Sequence, residues 1–146
     1  MSDSFNARPG IPRRLASMAY EILLLAAALL ILMVLPHVLI GAFTHRLATP
    51  LVLQAHFFLA LLLYFGWFWT HGGQTLAMKT WRLKLHDAAG GPIRPAQALI
   101  RYLLSYPSLL LGGVGIFWAF FDRDGQFLHD RLAGTRIALL PPAPKA

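Results

Sequence analysis

The residues of this chain that could do chemistry are concentrated where a long apolar run ends. In WAFFDRDGQFLHDRLAGTR, residues 118–136, three carboxylates (Asp122, Asp124, Asp130), three arginines (Arg123, Arg131, Arg136) and His129 follow directly on aliphatic and aromatic residues. Opposite charges at this density form ion pairs, and a histidine beside a carboxylate can hold or pass a proton. Arg14 and Glu21 are the second candidate group. They lie two helical turns apart on one face, with Ser17 and Met18 between them. At 1.5 Å per residue Glu21 is about 10 Å deeper than Arg14 along such a helix. An ionisable group at membrane depth is costly and faces protein or a wet cavity. Two roles fit Glu21: structural partner of an arginine from another segment, or a site for a proton or cation. No nucleophile stands at usable spacing from a base, so no catalytic residue is named and an enzyme is not expected. His37, His45 and His56 have no Cys, Asp or Glu nearby, which leaves no metal set, and no cofactor is expected. GGQTLAMK, residues 72–79, lacks the spacing of a phosphate-binding loop.

Composition says what these residues are embedded in. Hydrophobic residues make up 57% of the chain and charged residues 13%. Residues 22–45, 47–78 and 102–121 contain no Asp, Glu, Lys or Arg. About 20 helical residues cross a bilayer core of about 30 Å, and surface helices of soluble domains keep a polar face that these stretches lack. The lipid bilayer is therefore the first partner. The net charge of +7 comes from basic residues beside the apolar stretches. They read as topology signals and headgroup partners rather than a nucleic-acid surface. The absence of cysteine removes disulfides and thiolate metal sites. The apolar run after Arg13 and Arg14 is longer than a signal-peptide core and has no small-residue cleavage site, so an uncleaved first span is expected.

The elements that must position the charges follow from breakers and periodicity. Residues 1–12 are a tail carrying Pro9, Gly10 and Pro12. A first helix is expected over 13–35, stopped by Pro36, then an outer turn to residue 50 and a second helix over 51–69. The aromatics at 64–69 read as an interfacial belt. A cytoplasmic loop, 70–95, holds WRLKLHD, residues 81–87, whose alternation predicts a strand, followed by a Gly-Gly-Pro turn. Residues 96–121 form a helix broken around Pro107, Gly112, Gly113 and Gly115. After the charged segment, 122–134, TRIALL at 135–140 reads as a second strand, and 141–146 is a Pro-rich tail. A lone strand at a membrane leaves backbone groups unpaired, and 81–87 is the available partner. This favours a broken or re-entrant hairpin with both ends cytoplasmic over a straight third span. The glycines alternatively form a close helix-packing surface. The expected class is an all-α membrane protein: a helical transmembrane bundle of two full spans plus a broken or re-entrant hairpin or third span, with a small two-stranded cytoplasmic β element. Arg8, Arg13 and Arg14 put the N-terminus in the cytoplasm.

HDRLAGT, residues 129–135, resembles the C-terminal signature of the RDD family, small integral membrane proteins named for one arginine and two aspartates. RRLASMAYEI, residues 13–22, is similar to that family's first-helix pattern, and GGQTLAMKTWRLKL, residues 72–85, to its loop motif with Gly73, Gln74, Thr75 and Lys79. The three segments occur in the family's order. The chain departs from the pattern at Glu21, where the family has aspartate, and at Met78, where it has glycine. The resemblance implies a bacterial inner-membrane, multi-pass protein and a polar centre built on Arg14, Glu21 and Asp130. His129 and Arg131 lie beside that centre. The pairings expected are Arg14 with Asp130, and Glu21 with Arg131 or Arg101. Two functions remain open. One is a non-catalytic membrane module that organises or docks a partner, either a second copy or another membrane protein. The other is a small oligomeric transporter, the resemblance implying cation/proton exchange through Glu21.

Overall fold

The structure is a computed structural model and describes residues 8–142. Helix α1, Ile11–Leu29, starts with Pro12 in its first turn, where a missing N–H is harmless. It does not stop at Pro36. Residues Leu30–Val34 widen into a π-helical turn and α2, Leu35–Thr44, continues, so one apolar helix of 34 residues runs from Ile11 to Thr44. This corrects the expected end at residue 35. Proline inside an α-helix leaves a carbonyl without its donor and clashes one turn back, and the wider turn just before it takes up both defects. His45, in the left-handed region at φ 53°, ends α2. The connection is therefore only His45–Thr49, shorter than the expected turn. Thr49 accepts from Val52 N–H to cap α3, Pro50–Thr70.

The chain then turns through Gly72 and Gly73 into a short helix α4, Leu76–Thr80, capped by the Thr75 hydroxyl. Strand β1 is Leu83–Asp87, with Trp81 and Arg82 in the preceding turn. Gly73 is required where it stands: φ is 72°, its carbonyl accepts from Leu85 N–H at 2.7 Å, and a Cβ would run into the Leu85 carbonyl oxygen. Helix α5, Pro95–Leu110, and α6, Val114–Phe121, are bent 95° at Leu111–Gly113. Pro107 lies inside α5, and the bend falls instead on Gly112 and Gly113, at φ 69° and 76°. Gly115 serves the other purpose glycine can have, because a Cβ there would collide with the Ser108 side chain. Helix α7, Leu128–Leu132, leads into β2, Thr135–Leu139, which pairs antiparallel with β1 from Leu83↔Leu139 to Asp87↔Thr135.

The buried core lies around this sheet: Trp69, Met78, Leu83, Leu85, Ile93, Ala98 and Tyr102. Met78, in place of the family's glycine, fills part of it. Away from the sheet, α1 to α3 expose Leu23, Ile31, Phe43 and Leu63. The most apolar windows of the Ile11–Thr44 and Pro50–Thr70 helices bury no residue inside the chain. Helices that leave apolar side chains exposed over such windows suit lipid surroundings. The architecture is helical, with two helices long and apolar enough to cross a membrane, a bent helix pair and a two-stranded sheet at one end.

Candidate functional site

The sheet end holds a cluster of buried charge. Helix α5 supplies Arg101 and α7 supplies Asp130, joined Nε to Oδ1 at 2.6 Å with side chains 9% and 1% exposed. The guanidinium also lies over the Trp69 ring, 4.3 Å from its centroid. Asp130 Oδ2 is buried without a hydrogen-bond partner among the described residues. The Asp130 carbonyl accepts from Thr135 Oγ1 at 3.2 Å, which ties the ion pair to the first residue of β2. His129 is buried beside them, its Nδ1 3.0 Å from Ser108 Oγ. Burial pushes the imidazole down to about 4, against the opposing pull of Asp130, so His129 is neutral at pH 7 and adds no charge.

Arg14 and Glu21 reach the same end from α1, and neither makes the expected ion pair. The Arg14 guanidinium donates to the Gly125 carbonyl and lies over the Phe127 ring, 4.7 Å from its centroid. No carboxylate pairs with it among the described residues, and its Nε is buried without a partner. Glu21 accepts from the Tyr64 hydroxyl at 2.6 Å and from the Thr75 hydroxyl. Asp130 is therefore taken by Arg101 and Glu21 by neutral donors. Arg131, expected inside, is half-exposed and pairs with Asp122 at 2.8 Å and Asp124 at 3.5 Å. Asp122 is held in turn by the N–H groups of Asp124 and Gln126.

The loop motif divides. Gln74 Nε2 donates to the Leu83 carbonyl at 2.7 Å and Thr75 both caps α4 and binds Glu21. Lys79 is exposed in the last turn of α4, where a cation suits the helix end, and stands apart from the charge centre. Two aromatics of the expected belt belong to the centre instead: Tyr64 as a donor and Trp69 as the face under Arg101. Their signal was indirect, since a buried carboxylate without a cation needs hydroxyl donors, and Tyr64 is a phenol on the neighbouring span. At the far end His37 and His56 approach to 3.0 Å and link α2 to α3. Among the described residues no group of three His, Cys, Asp or Glu could hold a metal.

Between α1, α3 and α5 lies a cavity of about 210 Å³. Arg14, Glu21 and Arg101 are among the polar residues lining it, and Ile22, Leu25 and Leu109 among the apolar ones.

An uncharacterized protein of Rickettsia prowazekii (strain Madrid E) is 32% identical over 98 residues, 67% of this chain. The match covers 55% of that relative, so the chain spans about half its length. No solved structure matches. The model of the RDD family matches residues 8–134, a range that takes in both spans, the loop motif, the bent pair and the Arg101–Asp130 centre: the chain is a membrane protein of the RDD family.

Proposed function

We propose that the chain is a non-catalytic membrane module that docks or organises a partner in the bilayer, its charged residues holding the helices to the sheet rather than carrying ions. The observation that carries this reading is the Arg101–Asp130 pair, buried and fastened through Thr135 to β2. Glu21 supports it, because its two oxygens accept hydroxyls from α3 and from the cap of α4. In this reading the protein is a multi-pass protein of the cell membrane. The basic residues Arg13, Arg14, Lys79, Arg82 and Lys84 support a cytoplasmic N-terminus and sheet.

One observation favours proton-coupled cation exchange: Glu21 has no cationic partner among the described residues and lines the cavity. Arg14 and Arg101 line the same cavity and repel a cation there. The test is sodium flux into liposomes holding the purified protein, with and without a pH gradient, for wild type and Glu21→Gln. The module reading expects no gradient-driven flux. It also expects Glu21→Gln to lose about 1–3 kcal/mol of stability through disturbed hydrogen bonds. A stable Glu21→Gln protein that has lost a flux the wild type shows would replace the module by the exchanger.

A further inference from the structure

The cavity wall has a graded chemistry on two helices. Along α1 it runs from Arg14 through Ser17, Met18 and Glu21, whose oxygens accept from Tyr64 and Thr75, to Ile22 and Leu25, a span of about 16 Å at 1.5 Å per residue. Along α5 it runs from Arg101 through Ser105 to Leu109. Both stripes begin at the charge centre, Arg14 being fixed to Gly125 and Arg101 to Asp130. Cations, hydroxyls and aliphatics in that order match the phosphate, the ester region and the chain of a phospholipid. Ile22 is exposed and Leu109 partly so, so the apolar end opens on the lipid side between α1 and α5. The volume, room for about seven waters, suits a phosphate and the first chain carbons, with the remaining chain lying in the bilayer.

The charges decide which lipid. Asp130 Oδ1 is held by Arg101, and the Glu21 oxygens by Tyr64 and Thr75. Arg14 is left as the buried cation of the cavity without a carboxylate among the described residues, and its Nε has no acceptor. A buried charge needs a partner, and an anionic phosphate oxygen in the cavity supplies Arg14 with the counter-charge that no carboxylate among the described residues gives it. We propose that this cavity binds one anionic phospholipid from the surrounding leaflet, its phosphate on Arg14 and its chain along Ile22, Leu25 and Leu109. This rests on the module reading and names its partner as a lipid.

The test uses full-length protein stripped of lipid in detergent. It is titrated with phosphatidylglycerol or phosphatidylcholine of identical chains, and bound lipid is counted by native mass spectrometry. The wild type should prefer phosphatidylglycerol by about tenfold, and Arg14→Gln should lose that preference. Ser105→Phe fills the cavity without touching the Arg14–Gly125 or Arg101–Asp130 contacts, and should abolish tight binding of both lipids. It decides the matter if Arg14→Gln fails to fold. Equal binding of the two lipids, an unchanged preference in Ser105→Phe, or full displacement of phosphatidylglycerol by millimolar inorganic phosphate would overturn the proposal. None of these results would create a gradient-driven flux, so the module reading stands or falls separately in the liposome experiment.

Discussion

At Asp130 one carboxylate serves three elements, since its side chain holds α5 and its backbone holds β2. Asp130→Asn leaves Arg101 buried with no counter-charge, and removing one partner of such a pair costs about 3–5 kcal/mol. Thermal unfolding in detergent should show that loss, together with a fall in membrane abundance. His129 gives the pH dependence. Its folded value of about 4 lies below the ordinary value of 6.5, so between those pH values the unfolded state binds the extra proton. Stability then rises with pH across this window and is lost as pH falls from about 6.5 toward 4. The wild type should melt lower at pH 4.5 than at pH 7.5, by on the order of 2–3 kcal/mol at this site. His129→Gln should flatten that slope, and an equal slope in both proteins would remove His129 as its source.

The strands allow a sharper test than the loss of any one N–H. Leu85 and Asp87 donate to Gly73 and Gly91, so by the alternation of an antiparallel ladder Lys84 and His86 are the β1 residues whose N–H groups face β2. Their partners are Ala138 and Arg136, whereas Ile137 stands opposite Leu85, with its N–H on the free edge. Ala138→Pro should therefore collapse protein levels while Ile137→Pro is tolerated better, measured as folded protein recovered from membranes. Equal effects would mean that the ladder has another register. This sheet was legible in the sequence, because alternation in WRLKLHD marks a strand and TRIALL, read as a short strand, had no other strand to pair with. The break in 96–121 was legible as glycine, though proline drew attention to the wrong residue. The continuation of α1 past Pro36 was not legible: LILMV carries no mark of a π turn. The partners of Glu21 were hidden for a different reason. Tyr64 and Thr75 lie on separate elements and meet a carboxylate only once α1, α3 and α4 have packed.

At the scale of the molecule, the buried charge is gathered at one end and the apolar helices extend away from it. Since β1 and β2 are paired, the loop after α3 and the chain after α6 must share one side of the membrane, whatever path α5 and α6 take. The chain has no cysteine, so Ala89→Cys and Pro142→Cys can each be labelled alone with a membrane-impermeant reagent. Both should react from the same side, and labelling from opposite sides would contradict the pairing. The same pairing sets an order in time. Leu83 waits for Leu139, and Arg101 for Asp130, so during synthesis both long helices can enter the bilayer while the strand and the arginine still lack their partners. Closing a loop of that length is slow compared with forming helices. A nascent chain stopped before α7 thus presents an unpaired strand edge and an uncompensated arginine at the membrane surface. Those are the features by which a quality-control protease could tell an unfinished chain from a finished one.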